Sequence, residues 1–426
     1  MKPGPSSVSA HEKHVQTDLS PRVSDRTSRY SFRTLPPAGT ILRPNDLVSL
    51  LTPVGSEERR RSLETGLATR FHVPEVRTFS SGRAAMTVVL GAMAELRPDR
   101  PVVVVPGYTC FSVAASVVRA GLRLRPVDID LNTLTYCPSA LEAACDADVL
   151  CIVSANLFGE PDQLGFLERL AAEKGVFFLD DAAQALQATV DDRMVGTFGD
   201  AGILSFDKGK NITTIEGGAA LLQNPDLKAC VTRRWEALPR SPLGVSAGLI
   251  AKALIYAVFL RPRLYWLPAR SLRLGGTPFE TDFPVTQFSA ALAPLAESLL
   301  ARVDEITEAR RTRARWLTEV ISLIPDITAP TARSQRSVHL RFPILLSSEE
   351  LRDRAIAALS NAGLGATQFY PAALTEIPQL RDWIDPNSSS TPDARSLARR
   401  ILTLPTHEYV ERRDVESMGD VLSGLA

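Results

Sequence analysis

Apolar positions along the chain fall into two alternating patterns, and the alternation predicts an architecture. Short, mostly apolar runs at Val102–Val105, Leu122–Val127, Val149–Val153, Val176–Leu179, Ala201–Phe206 and Ala219–Leu222 read as buried strands. Between and before them, helical spacing runs through Ala84–Glu95, Ser112–Ala120 and Leu164–Glu173. Strands buried on both faces and joined through helices make a mainly parallel sheet with helices on each side, so the pattern predicts an α/β fold of three layers, αβα.

Beyond Ala290 the spacing changes. A charged helical run continues to Arg315, a strand follows at Val338–Leu345 and a helix at Ser348–Leu359, which together predict a smaller C-terminal α/β domain. Asn387–Pro392, rich in serine, reads as a loop within it. The N-terminal residues are rich in Ser, Pro, Arg and Thr and show no period. The expected organisation is therefore a disordered tail over 1–36, a large domain over 37–290 and a small domain over 291–426.

One stretch stands apart, the apolar run Ala247–Leu260 followed by Arg261–Pro268, within an insertion of about 243–275. A bilayer-spanning helix needs about 20 apolar residues, and Lys252 interrupts this one, so the expectation is a helix packed at a domain or subunit interface. Its flanking arginines and aromatic rings also suit weak contact with a membrane surface through 247–268.

Composition narrows the function classes. The 48 basic residues balance 48 acidic ones, so no global field draws the chain to nucleic acid, and no nucleic-acid partner is expected. The cysteines number five, an odd count without C-x-x-C spacing, which fits a reduced compartment. No apolar signal segment lies between Lys2 and Arg33, and the expected localisation is cytoplasmic. Five histidines, at 11, 14, 72, 339 and 407, show no metal-ligand spacing, and no metal site is expected.

The chemistry-bearing residues gather where predicted strands end, the rim at which open α/β sheets bind ligands. Lys210 closes the run Ser205-Phe206-Asp207-Lys208-Gly209-Lys210-Asn211 and precedes Glu216-Gly217-Gly218. Asp180-Asp181-Ala182-Ala183-Gln184 follows the strand ending at Leu179, and Ser81-Gly82-Arg83 precedes a helix. An amine, a carboxylate and free amides or hydroxyls are what a pyridoxal phosphate (PLP) enzyme requires. Lys210 supplies the amine that joins the cofactor and afterwards moves a proton as base and acid. Either Asp180 or Asp181 supplies a carboxylate to the ring nitrogen, since neighbours in an extended chain point to opposite sides. Gln184, three residues beyond Asp181, would share a helical face with it and reach the ring oxygen. Ser81, Gly82 and Arg83 at a helix start, with the hydroxyl of Ser205, would take the phosphate.

With these residues in order, the chain resembles the DegT/DnrJ/StrS aminotransferases, sugar aminotransferases of PLP fold type I, from about Pro36 to Ala426. The resemblance is carried by Phe178–Gln184, Gly196-Thr197-Phe198-Gly199-Asp200, Ser205 to Asn211 and Glu216-Gly217-Gly218. It extends through Val105–Thr109, Asp128-Ile129-Asp130, Asn156–Gly159, Phe369-Tyr370-Pro371 and Leu402–His407. The resemblance implies Lys210 as the cofactor-bearing lysine and Asp181 as the partner of the ring nitrogen. It also implies Gln184 beside the ring hydroxyl, and Gly82, Arg83 and Ser205 around the phosphate. It further implies an amino-acid donor such as glutamate, a nucleotide-linked keto-sugar acceptor, and a homodimer. Related dehydratases carry His where Lys210 stands, so the lysine favours transamination.

Three departures mark this chain. Arg83 replaces a threonine of the family, and Cys110 stands where the family has an aromatic residue stacked on the cofactor, leaving Tyr108 or Phe111 as replacements. Asp282-Phe283-Pro284-Val285 replaces the Asn-Tyr-Arg-Met segment that reaches the partner subunit's site. A carboxylate at 282 would repel a phosphate, so the loop either leaves the cofactor or is neutralised by Arg83. These changes support a second expectation, a PLP-binding protein without turnover that regulates or scaffolds a glycan pathway.

Overall fold

Seven strands lie side by side in the large sheet of the computed structural model, which describes residues 33–51, 57–267, 279–330 and 336–425. In chain order they are β1 (Glu75–Phe79), β2 (Val102–Pro106), β3 (Arg123–Val127), β4 (Val149–Val153) and β5 (Phe177–Asp181). A small hairpin, β6 (Thr189–Val190) and β7 (Arg193–Met194), then leads to β8 (Ala201–Ser205) and β9 (Gly218–Leu222). The spatial order is β1-β9-β8-β5-β4-β2-β3, and only β9 runs against its neighbours. Helices cover both faces, so the expected αβα arrangement with a mainly parallel sheet is what forms.

Each apolar run read as a strand becomes one, because every residue of β2, β4, β8 and β9 is buried. The pattern missed β1, where Glu75 and Arg77 interrupt the apolar residues. They are tolerated there because the two side chains pair with each other, and Arg77 lies 4.9 Å over the ring of Trp235. Since β1 and β8 are both antiparallel to β9, they run parallel to one another and to β5. Their carboxyl ends therefore share one rim, which carries Ser80–Arg83, Asp181 and Ser205–Lys210.

Both edges of this sheet are closed by chain from much later in the sequence. Along β1, Gln287 bridges Phe79, and the amide of Ser80 donates to the carbonyl of Thr286 at 2.9 Å. Along β3, Ile384 bridges Leu124, whose amide donates to Trp383 at 2.9 Å and whose carbonyl accepts from Asp385 at 2.7 Å. Arg125, fully buried beside it, is held by Asp385 at 2.5 Å and by Asp146 at 2.7 Å.

A second sheet is antiparallel, in the order β10 (Ile327–Thr328), β11 (Phe342–Leu346), β12 (Ile401–Leu404). Leu317, Ile344, Leu359, Leu402 and Met418 form its core with the helices Val303–Ile321, Glu349–Asn361 and Arg412–Ser423. The single helix expected through Arg315 is two, Ala293–Ala301 and Val303–Ile321. Arg302 breaks it at φ −120° and ψ 17°, its guanidinium held 2.7 Å from Asp46. The strand expected from Val338 begins at Phe342, because Val338 and Arg341 bond instead to the carbonyls of Gly159 and Phe158.

Of the tail read as disordered, 1–32 lie outside the described residues, whereas 33–36 depart from that reading. Leu35 is fully buried and Arg33 pairs with Asp414 at 2.5 Å. The insertion forms a helix, Leu243–Phe259, with 268–275 outside the described residues. Leu249, Ala253, Tyr256 and Ala257 on one face of it join the core of the large sheet. No helix among the described residues is long and apolar enough to cross a membrane.

Candidate active site

A cavity of about 390 Å³ opens at the shared rim, and Gly82, Arg83, Cys110, Asp181, Gln184, Ser205 and Lys210 all line it. Residues more than a hundred positions apart in sequence thus meet because three parallel strands deliver them to one end.

The floor is built by close backbone approach. Ser81 caps the helix Gly82–Leu96, its hydroxyl accepting from the amide of Ala84 at 3.1 Å. This leaves the amides of Gly82 and Arg83 without helical partners at the positive end of the helix dipole. A Cβ at Gly82 would lie 3.0 Å from the Cβ of Ser205, and one at Gly218 only 2.4 Å from the nitrogen of Gly82. The helix start is therefore pressed onto β8 and β9, with the Ser205 side chain beside it. Backbone amides and a hydroxyl in a cradle that admits no side chain suit a phosphate.

The two aspartates of β5 separate clearly. Asp180 is fully buried and accepts from Ser154 Oγ at 2.9 Å, Asn156 Nδ2 at 2.8 Å and the amide of Gly196 at 2.6 Å. Asp181 lines the cavity and, among the described residues, accepts only from the amide of Ala183, at 3.0 Å. Burial pushes the Asp181 carboxyl up to about 6, while the positive charge of Lys210 pulls the other way. Such a carboxyl is short of a cation, which a protonated pyridine nitrogen would supply.

Lys210 is fixed through its backbone. Its amide donates to the carbonyl of Asp207 at 3.2 Å, closing a turn in which Gly209 takes φ +82°. Its carbonyl accepts from Thr40 Oγ1 at 2.6 Å, and the amide of Thr40 donates to the Tyr256 hydroxyl at 3.0 Å. The buried Arg310 donates to the carbonyl of Gly39 at 2.8 Å. The neighbouring Asn211 Nδ2 donates to Leu186 O at 2.9 Å and Thr307 Oγ1 at 3.1 Å. The lysine loop is thus tied to the N-terminal strap and to the insertion helix.

Several sequence expectations change here. Ala183–Gln187 form turns rather than a helix, so Gln184 is not placed by helical spacing. Its Oε1 accepts from the amide of Phe158 at 3.0 Å and its Nε2 donates to the Tyr370 hydroxyl at 3.1 Å. Tyr108 stands behind the cavity wall, fully buried, its hydroxyl 3.3 Å from both the nitrogen and the oxygen of Tyr370. Tyr370 is instead the aromatic residue beside Cys110, and Phe111 stacks on it at 6.0 Å. Arg83 does not meet Asp282. Its guanidinium lies 4.6 Å over the ring of Phe283, and the fully exposed Asp282 pairs with Arg119 at 3.4 Å.

Arg341 was not foreseen. It is 7% exposed, lines the cavity, and donates through Nη1 to Pro37 O at 3.1 Å and Thr367 Oγ1 at 3.3 Å. Phe369 lies under it at 4.7 Å, and no carboxylate pairs with it among the described residues. Burial lowers it to about 10, so it is charged at neutral pH. An arginine in the mostly apolar run Val338–Leu345 was the available signal.

The sequence model of the DegT/DnrJ/EryC1/StrS aminotransferase family matches residues 51–241 and 269–423. The L-glutamine:2-deoxy-scyllo-inosose aminotransferase of Streptomyces fradiae is 26% identical over 390 residues, 87% of this chain and 86% of that protein. The fold is similar to that of Helicobacter pylori PseC, an aminotransferase of pseudaminic acid biosynthesis, with a TM-score of 0.76, 17% identity and coverage of 92% and 99% of the two chains. It is also similar to an Escherichia coli GDP-4-keto-6-deoxy-D-mannose-3-dehydratase solved with hydrated PLP, at a TM-score of 0.75, 17% identity and the same 92% and 99% coverage. With a match across both sheets and both sides of the cavity, this chain belongs to the DegT/DnrJ/EryC1/StrS aminotransferase family.

Proposed function

We propose that this chain is a PLP-dependent aminotransferase that moves an amino group from an amino acid, glutamate or glutamine, to a keto sugar linked to a nucleotide, acting as a homodimer. The observation that carries this reading is the meeting of Lys210, Asp181 and the Gly82–Ser205 cradle in one cavity. In it the amides of Gly82 and Arg83 and the hydroxyl of Ser205 hold the phosphate, and Asp181 holds the ring nitrogen. Bound there, PLP supplies an electron sink for the pair released when a substrate C–H bond breaks. The amine of Lys210 takes that proton and returns it. Asp180 acts at one remove, fixing Ser154 and Asn156 so that the backbone around Asp181 stays in place: Ser154 Oγ accepts from the Asp181 amide at 3.0 Å and Asn156 donates to its carbonyl at 2.9 Å.

Arg341 completes the reading. A buried cation without a carboxylate is costly unless a ligand brings the anion. The carboxylate of the amino donor is the group that fits, since the Gly82–Ser205 cradle takes the phosphate. The test is to load the purified protein with PLP and add glutamate or glutamine. The expected result is a shift of the visible absorbance band with release of the matching keto acid. A band indifferent to every amino donor would favour the non-turnover reading. A panel of nucleotide-linked keto sugars against the amino-loaded form then identifies the acceptor.

A further inference from the structure

Ten large hydrophobic side chains are exposed among the described residues, and seven of them lie between 243 and 267: Leu243, Val245, Leu254, Ile255, Val258, Trp266 and Leu267. They sit on the insertion helix and the turns after it, and Leu254, Ile255 and Val258 lie opposite the face that packs on the large sheet. Contiguous exposed apolar surface of this kind marks a binding face. The same stretch falls between the two segments matched by the family model, so the surface is an addition to the family's common frame.

Charge indicates what covers it. From 237 to 279 the sequence has six basic residues, Arg240, Lys252, Arg261, Arg263, Arg270 and Arg273, and no acidic one, in a chain whose charges cancel over its whole length. Lys252 pairs with Glu216 at 3.1 Å. Near Arg261 and Arg263 stand Glu408 and Glu411, but Glu408 is bonded to Arg43, and Glu411 to Arg33 and Arg413. A second copy docking by twofold symmetry would set this patch against itself, cations against cations. An anionic phospholipid leaflet meets both halves of the patch: acyl chains take the aliphatic side chains, headgroup phosphates take the arginines, and Trp266 suits the boundary between them.

The geometry points to a monotopic membrane-docking surface: the outer face of Leu243–Phe259, with Arg261, Arg263 and Trp266 at its end, lies on an anionic lipid surface. The helix lies in the plane of the leaflet and does not cross it. Because Tyr256 on its inner face lines the cavity, docking brings one wall of the site close to the lipid.

The test uses the full chain loaded with PLP, sedimented with vesicles of phosphatidylcholine alone or mixed with phosphatidylglycerol. Binding is expected with the mixed vesicles at low salt, weakening by roughly tenfold in high salt and with the neutral lipid. The double variant Leu254→Glu/Ile255→Glu should stay in the supernatant while its circular dichroism and melting match the wild type, because both side chains are exposed. Arg261→Gln/Arg263→Gln, which keeps the apolar face, should bind several-fold more weakly. The proposal is overturned if the wild type ignores the mixed vesicles at low salt, or if both variants sediment as it does. It is equally overturned if Leu254→Glu/Ile255→Glu halves the mass in solution without any lipid binding to lose, which would give the face to a second copy.

Discussion

Asp180 and Asp181 are consecutive in β5, yet three donors converge on the first and a single backbone amide meets the second. The same substitution should therefore act in opposite directions at the two positions. Asp180→Asn brings an amide N–H against donors aimed at a carboxylate, the buried amide of Gly196 among them, and should cost about 1–3 kcal/mol in urea unfolding. Asp181→Asn keeps the bond from Ala183 and should leave the cofactor-free protein folded, while turnover falls on the order of 10²-fold or more as the ring nitrogen loses its charged partner. Equal destabilisation by both changes would contradict the division of roles.

The pH dependence of Asp181 has a definite sign. Its carboxyl ordinarily titrates near 3.8 and is raised to about 6 by burial. A raised acid contributes stability that is full below the unfolded value and is lost as pH climbs through the folded one. In the cofactor-free protein, Asp181→Asn should thus raise stability by roughly 2–3 kcal/mol above pH 6, and the advantage should shrink towards pH 4. Urea midpoints of both proteins across that range measure it.

Arg341→Met removes the unpaired cation while keeping the stem that packs near Phe369. Losing one partner of a buried charge pair costs about 2–5 kcal/mol, so the rate with a carboxylate-bearing donor should drop roughly 30-fold or more. The rate with an amine that lacks the α-carboxylate should change little. A uniform loss with both donors would remove Arg341 from donor recognition.

Tyr256→Phe should strand the buried amide of Thr40, at a cost of about 1–3 kcal/mol. Hydrogen exchange should quicken first at 38–41 and 208–211, since Thr40 is also bonded to the carbonyl of Lys210. Exchange confined to the insertion helix would show that the tie to the lysine loop carries no load.

Much of this was legible in the sequence because buried parallel strands are apolar throughout: β2, β4, β8 and β9 announce themselves, and Lys210, Asp181 and Gly82 stand where such strands end. What was hidden depends on contacts between distant segments. β1 is polar along one side because an edge strand needs only one buried face, and the break at Arg302 is set by Asp46, more than 250 positions away. Tyr108 and Tyr370 exchange places as cavity wall because the segment between the helix Glu349–Asn361 and β12 folds back over the sheet. Arg341 gave a signal, but a single arginine in an apolar run has meaning only once its lack of a carboxylate partner is visible.

Gln287 and Ile384, which close the two edges of the large sheet, also set a schedule for synthesis. A nascent chain that has just completed β9 carries all seven strands of the sheet while β1 and β3 still show bare edges, and the Arg125 pocket lacks Asp385. Exposed edges recruit other strands. The first half of this protein is therefore an adhesive intermediate until the ribosome delivers Gln287, and its β3 edge stays bare until Ile384 follows. Fragments ending between β9 and Trp383 should be recovered as aggregates even though every residue named around Lys210 and Asp181 up to β9 is already in them.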